Sequence, residues 1–230
     1  MDTSTYQQLA KEKLGGEFAR LDLLVTALTH RSYVNEHRST VKEHNERLEF
    51  LGDAVLELVV TEFLYNNYTE PEGILTNWRS SLVRTESIGA AAARLGFESL
   101  LRLSHGERHG TERARAQILA NSFEAVTGAI YLDKGYEAAK VFITDNILST
   151  FDEILKTGSW MDPKSHLQEV VQSQGGSTPQ YRVLSEEGPD HDKTFTVGVY
   201  VDDVLKGQGV GPSKQAAQVA AATAALQQYQ

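Results

Sequence analysis

The run His44-Asn45-Glu46-Arg47-Leu48-Glu49-Phe50-Leu51-Gly52-Asp53-Ala54-Val55-Leu56-Glu57 carries its apolar residues at helical spacing. On a helix of about 3.6 residues per turn, Leu48, Leu51, Val55, Leu58 and Val59 share one face. Glu46, Glu49, Asp53 and Glu57, at i, i+3, i+7 and i+11, share roughly the opposite one. An exposed face ordinarily interleaves lysine or arginine, because like charges one turn apart cost a helix about 0.2–0.5 kcal/mol per pair. This stripe carries only acids. Carboxylates held close together need a cation among them or raised pKa values. With oxygen-only ligands, no cysteine and no paired histidine, the chemistry suits magnesium, or manganese in its place, better than zinc.

Outward from this helix the same periodicity continues. Apolar residues recur at helical spacing through Phe18–Leu28, Leu48–Leu64, Ile88–Leu95, Ile118–Leu132 and Ala138–Leu155, with Gly15-Gly16, Glu72-Gly73, Gly96, Gly106, Gly110 and Gly135 as breaks. Residues 1–156 therefore read as an all-α domain, and 157–161 as a linker. Residues 162–230 change pattern. Lys164–Ser173 reads as a helix, Tyr181–Ser185 and Thr194–Val201 alternate as half-buried strands, and Asp202-Asp203 makes a turn into a third strand at Val204–Gly209. Ser213 caps an alanine-rich helix through Gln228. The expected architecture is thus multi-domain: an all-α domain followed by a small α+β module of α-β-β-β-α order.

Composition sets outer bounds. The chain has 230 residues, 40% of them hydrophobic and 23% charged, which excludes disordered and fibrous classes. No cysteine is present, so disulfides, thiolate metal sites and cysteine nucleophiles are excluded, in keeping with a reducing compartment. No apolar stretch approaches the roughly 18–20 residues of a membrane span, and no basic-then-apolar secretory leader opens the chain. A cytoplasmic protein with no membrane partner is expected. The formal net charge of −9 weighs against a polyanionic partner at long range, but local patches can still grip phosphates.

A second acidic piece lies in Ile118-Leu119-Ala120-Asn121-Ser122-Phe123-Glu124-Ala125, where Asn121 and Glu124 stand at i, i+3. Alone they carry little information, and neither does Glu72 beside Gly73 at an expected loop. They matter if their helix packs against the first. The histidines are scattered and read as structural or surface residues, not as a catalytic relay.

The run Asn45–Leu56 resembles the signature of the bacterial ribonuclease III family. Leu28-Thr29-His30-Arg31-Ser32-Tyr33 before it, and Ile118-Leu119-Ala120, Phe123-Glu124-Ala125 and Gly128-Ala129-Ile130-Tyr131-Leu132-Asp133 after it, resemble the same family in the same order. The tail is similar to a double-stranded RNA-binding domain. Asp162–Glu169 matches its first helix, Gly188–Phe195 its first hairpin, and Gly207–Lys214 the lead into its second helix.

The resemblance implies a homodimeric, magnesium-dependent endoribonuclease cutting double-stranded RNA to 5′-phosphate and 3′-hydroxyl ends. It implies maturation of rRNA precursors and processing of structured mRNA and of tRNA. Glu49, Asp53, Asn121 and Glu124 match metal-ligand positions, Asp53 and Glu124 catalytic ones, and Glu46 and Glu72 accessory acids near the cleavage site. In the tail, Gln168, Glu169, His191 and Lys214 match RNA-contacting positions, reading a duplex by shape, 2′-hydroxyls and phosphates.

Two departures stand out. Family members commonly carry aspartate where this chain has Asn121, whose carbonyl can still serve a hard cation but supplies no charge. Glu57, where small residues are common, offers one electrostatic compensation. The competing reading is a double-stranded-RNA-binding protein with impaired cleavage because of Asn121. The second departure is a tail with 5 Lys+Arg against 8 Asp+Glu over residues 157–230, and with Lys214 followed by Gln215, Ala216 and Ala217 instead of further basic residues. A modest grip on RNA is expected.

Overall fold

The computed structural model describes residues 3–158, 160–189 and 193–229, and the chain divides into two compact units at Ile154/Leu155. The first unit is helical: α1 (Ser4–Lys13), α2 (Leu21–Ala27), α3 (Arg31–Glu36), α4 (Glu46–Asn67), α5 (Glu72–Val83), α6 (Thr85–Leu95), α7 (Glu112–Lys134) and α8 (Tyr136–Asn146), with α9 (Phe151–Thr157) spanning the division. The all-α expectation holds. The apolar periodicity of the sequence does not mark α1, α3 or α5. The first is largely polar on average and the second has only six residues. At α5 the structure differs from the expected break: Pro71 is the N-cap and Glu72 the first residue, so Glu72-Gly73 opens a helix. Proline before a first turn pre-sets the chain for a helix, and an acid there meets the positive end of the dipole.

Helices α4 and α7 form the centre and make the most extensive interhelical packing of the unit. The buried stripe of α4 is Leu48, Gly52, Val55, Leu56, Val59, Val60 and Leu64. Leu58, assigned to that face from spacing, is 57% exposed. The true period is set by Gly52. A Cβ at Gly52 would overlap the Glu124 carbonyl, and one at Gly128 would overlap the Leu48 carbonyl. The two helices cross backbone to backbone, a separation that only paired glycines allow. Phe123, Val126 and Ile130 bury the α7 side of this layer, and Phe63, Tyr68, Trp78 and Phe151 pack edge to face around it.

The second unit comprises α10 (Pro163–Ser173), β1 (Gln180–Glu187), β2 (Thr194–Val201), β3 (Val204–Gly211) and α11 (Lys214–Leu226). The sheet is antiparallel in the order β1-β2-β3. Asp202 and Asp203 both take positive φ, 51° and 60°, as the two-residue turn between β2 and β3 requires. Val197, Val199 and Val201 alternate onto Leu167, Val171 and the alanines of α11. Asp162 caps α10 and Ser213 caps α11. The expected α-β-β-β-α order is what the chain adopts. Helix α9 runs on to Thr157, into the stretch expected as linker.

Candidate nuclease centre and RNA-facing surface

The Gly52–Gly128 crossing brings the acidic face of α4 against Glu124 of α7. Glu124 is half-buried, and its carboxyl is pushed up to about 8, first by burial and then by the charges of Asp53 and Glu49. The Glu49 carboxyl is raised by burial, then by the charge of Glu46, with Asp53 adding to the rise. Helix α4 supplies Glu49 and Asp53 one turn apart, and α7 supplies Glu124 across the crossing.

The expected convergence is partial. The three carboxyls share one electrostatic neighbourhood, yet among the described residues no group of three His, Cys, Asp or Glu side chains is placed to hold a metal ion. The donor chemistry still fits a hard dication. Magnesium keeps most of its water and needs only one or two carboxylates. Burial makes the Glu124 charge costly when it stands alone, and a cation would remove that cost.

Asn121 sits in this neighbourhood differently from expectation. Its carbonyl Oδ1 accepts a hydrogen bond from Gln117 Nε2 at 2.7 Å. The Asn121 side chain also acts on Glu49, opposing the rise of that carboxyl. The oxygen expected to serve a cation is therefore engaged elsewhere. Sequence reasoning missed Gln117, although its place one turn before Asn121 was legible.

Of the accessory acids, Glu46 lies 3.3 Å from Arg31 Nη1 while also acting on Glu49. Glu72 is exposed at the start of α5, and neither it nor Glu57 figures among the groups acting on Glu49 or Glu124.

On the second unit, Gln168 and Glu169 are exposed on α10. A groove beside Gln168 is lined by Lys164, Tyr181 and Gln215. Lys214 Nζ pairs with Glu186 Oε1 at 2.7 Å, and its ammonium holds the Glu186 carboxyl below the usual carboxylate range. His191 lies outside the described residues.

The comparisons agree with this division. A Ribonuclease-III-like family pattern matches residues 21–151, and a double-stranded RNA binding motif matches 163–229. The Ribonuclease 3 of Enterococcus faecalis is 45% identical over 230 residues, covering 98% of each chain. That of Bdellovibrio bacteriovorus is 44% identical over 219 residues, covering 94% of this chain and 93% of its own. Among solved structures, the nuclease domain of ribonuclease III from Campylobacter jejuni, described for flexibility in a region involved in dimer formation, superposes with a TM-score of 0.54. It is 35% identical and covers 63% of this chain and 98% of its own. With a matching pattern over more than half its length and full-length relatives at this identity, the chain belongs to the ribonuclease III family of endoribonucleases.

Proposed function

We propose that this chain is a divalent-metal-dependent endoribonuclease that hydrolyses double-stranded RNA to 5′-phosphate and 3′-hydroxyl ends, acting as a homodimer. The observation that carries the reading is the α4–α7 crossing, which sets Glu124 in electrostatic contact with Glu49 and Asp53. Glu49, Asp53 and Glu124 would hold the cation, magnesium foremost and manganese in its place. When bound, such an ion supplies an acidified water and screens the non-bridging phosphate oxygens. Glu124, whose carboxyl retains a proton near neutrality, releases it as the cluster gains positive charge. Asp53, exposed beside it, faces solvent where a phosphate can approach. Glu46 and Glu72 act as accessory acids along the cut strand.

Phe50 is 81% exposed on α4, beside a groove lined by Leu23, Leu48, Leu51 and Leu132. An aromatic ring left in water next to an apolar groove supports a two-fold self-association in which each ring enters the partner's groove. The second unit would lay α10 in a minor groove through Gln168 and Glu169, place His191 in the next, and bring Lys214 to phosphates at the start of α11. Among the described residues no helix is long and apolar enough to cross a membrane, which accords with cytoplasmic work on rRNA precursors, mRNA and tRNA.

The test is a gel assay of long duplex RNA with magnesium, with and without chelator, alongside Asp53→Asn. Cleavage that chelator and Asp53→Asn both abolish is expected. Duplex binding without cleavage at any magnesium or manganese concentration would favour the RNA-binding reading instead.

A further inference from the structure

Arg31 opens α3, and its side chain is 65% exposed. Its Nη1 lies 3.3 Å from Oε1 of Glu46, the first residue of α4. His30 fixes where that side chain starts. Its ring Nδ1 accepts from the Ser32 backbone N–H, and its own backbone N–H donates to the Arg102 carbonyl. Glu46 stands three residues before Glu49 and seven before Asp53 on one helix, so about 4.5 and about 10.5 Å of axis separate it from those two acids. Among the described residues, Arg31 is the one lysine or arginine in an ion pair with the acids of this stripe or with Glu124.

A duplex that is to be cut must bring its phosphates up to these carboxylates, which repel them. A guanidinium carries five donors in a fixed fork that matches phosphate, more than one carboxylate can fill. An ion pair exposed on both sides holds weakly, so exchanging Glu46 for a phosphate oxygen costs little.

We propose that Arg31 binds an RNA phosphate flanking the scissile one, drawing the strand up to the acids of α4, and that Glu46 holds its guanidinium beside that path until RNA arrives. Arg31 contacts substrate in this arrangement but moves no proton. The proposal rests on the nuclease reading above, and one set of variants separates the two.

Long duplex RNA is bound to the full chain in chelator at several salt concentrations, and magnesium is then added to read cleavage. The proteins are the wild type, Arg31→Ala, Arg31→Lys, Glu46→Gln, the double variant Arg31→Ala/Glu46→Gln, and Asp53→Asn. Arg31→Ala should weaken binding by about fivefold and lower the salt slope by about one for each protomer on the duplex. Arg31→Lys should restore the slope but not the full affinity, since a point charge replaces the fork. In the Glu46→Gln background, Arg31→Ala should weaken binding at least as much, because there the guanidinium has no carboxylate to leave first. The exposure of Arg31 means that its replacement leaves the core intact.

Unchanged affinity and slope in Arg31→Ala, or a loss that vanishes in the Glu46→Gln background, overturns the phosphate contact and leaves Arg31 acting through Glu46 or not at all. The nuclease reading survives that result if the wild type cuts on addition of magnesium and Asp53→Asn does not. A wild type that binds and never cuts, or cuts no better than Asp53→Asn, overturns both.

Discussion

Gly52 of α4 and Gly128 of α7 face each other across a crossing so close that a methyl group on either would enter the other helix's backbone. Everything chemical in the first unit depends on that approach. Glu49 and Asp53 flank Gly52 on one helix, while Glu124 lies one turn before Gly128 on the other.

Gly52→Ala should therefore damage fold and function together. The clash is with the Glu124 carbonyl and the Gly128 backbone, neither of which can swing aside as a side chain can. A loss of about 3 kcal/mol or more is expected, at or above the upper range of overpacking. Thermal unfolding measures the first effect. Duplex cleavage measures the second, and should fall further than the lost folded fraction accounts for.

The Glu124 carboxyl makes stability depend on pH. Its pKa rises from the ordinary glutamate value to about 8 on folding, so the unfolded chain releases this proton first as pH climbs. Its favourable contribution is complete below the ordinary glutamate pKa and drains away as pH approaches about 8. Glu49, raised in the same sense, adds to the slope. In chelator, the melting temperature should fall between about pH 5 and about pH 8, and Glu124→Gln should flatten the fall. A profile identical in wild type and variant would remove the buried-acid account.

Lys214 is held by Glu186 before any RNA arrives. A surface ion pair contributes about 0–1 kcal/mol, so Glu186→Gln should tighten duplex binding by about two- to fivefold. Lys214→Ala should weaken binding evenly across duplex sequences and reduce the salt slope by about one. Filter binding at several salt concentrations reads both. Weaker binding by Glu186→Gln would show that the pair shapes the surface instead of competing with phosphate.

Phe50 tests self-association. Phe50→Asp puts a charge where an apolar ring is exposed, beside the groove formed by Leu23, Leu48, Leu51 and Leu132. Sedimentation should shift from dimer to monomer while the helical spectrum is kept, since the residue contributes nothing to the protomer's core. A variant that stays dimeric would place the two-fold contact elsewhere.

Periodicity and punctuation made most of the architecture legible in advance. Apolar residues at helical spacing marked α4 and α7, alternation marked β2, and Asp202-Asp203 marked a turn, which the structure forms with positive φ at both residues. These signals are local, because each depends on neighbours within a turn or a pleat. The ordered motifs carried the family, which the relatives then showed. Local reading failed where one residue type serves opposite ends. Pro71 and Gly73 look alike as breakers, and only the path of the chain shows that they open α5. It failed again at Leu58, where spacing tolerates a face that the Gly52 crossing rotates away.

How the acids meet belongs to the fold alone. No spacing rule joins Glu124 to Asp53 across about seventy residues of chain; that proximity exists because two glycines let two backbones touch. The direction of the Asn121 amide is likewise invisible in a string of letters, since its two ends are interchangeable until Gln117 engages its oxygen. Chain order dictates which helices and strands form, because those choices are made over a few residues. Burial, charge and hydrogen-bond polarity at the centre are made between segments remote in sequence, and only packing brings them together.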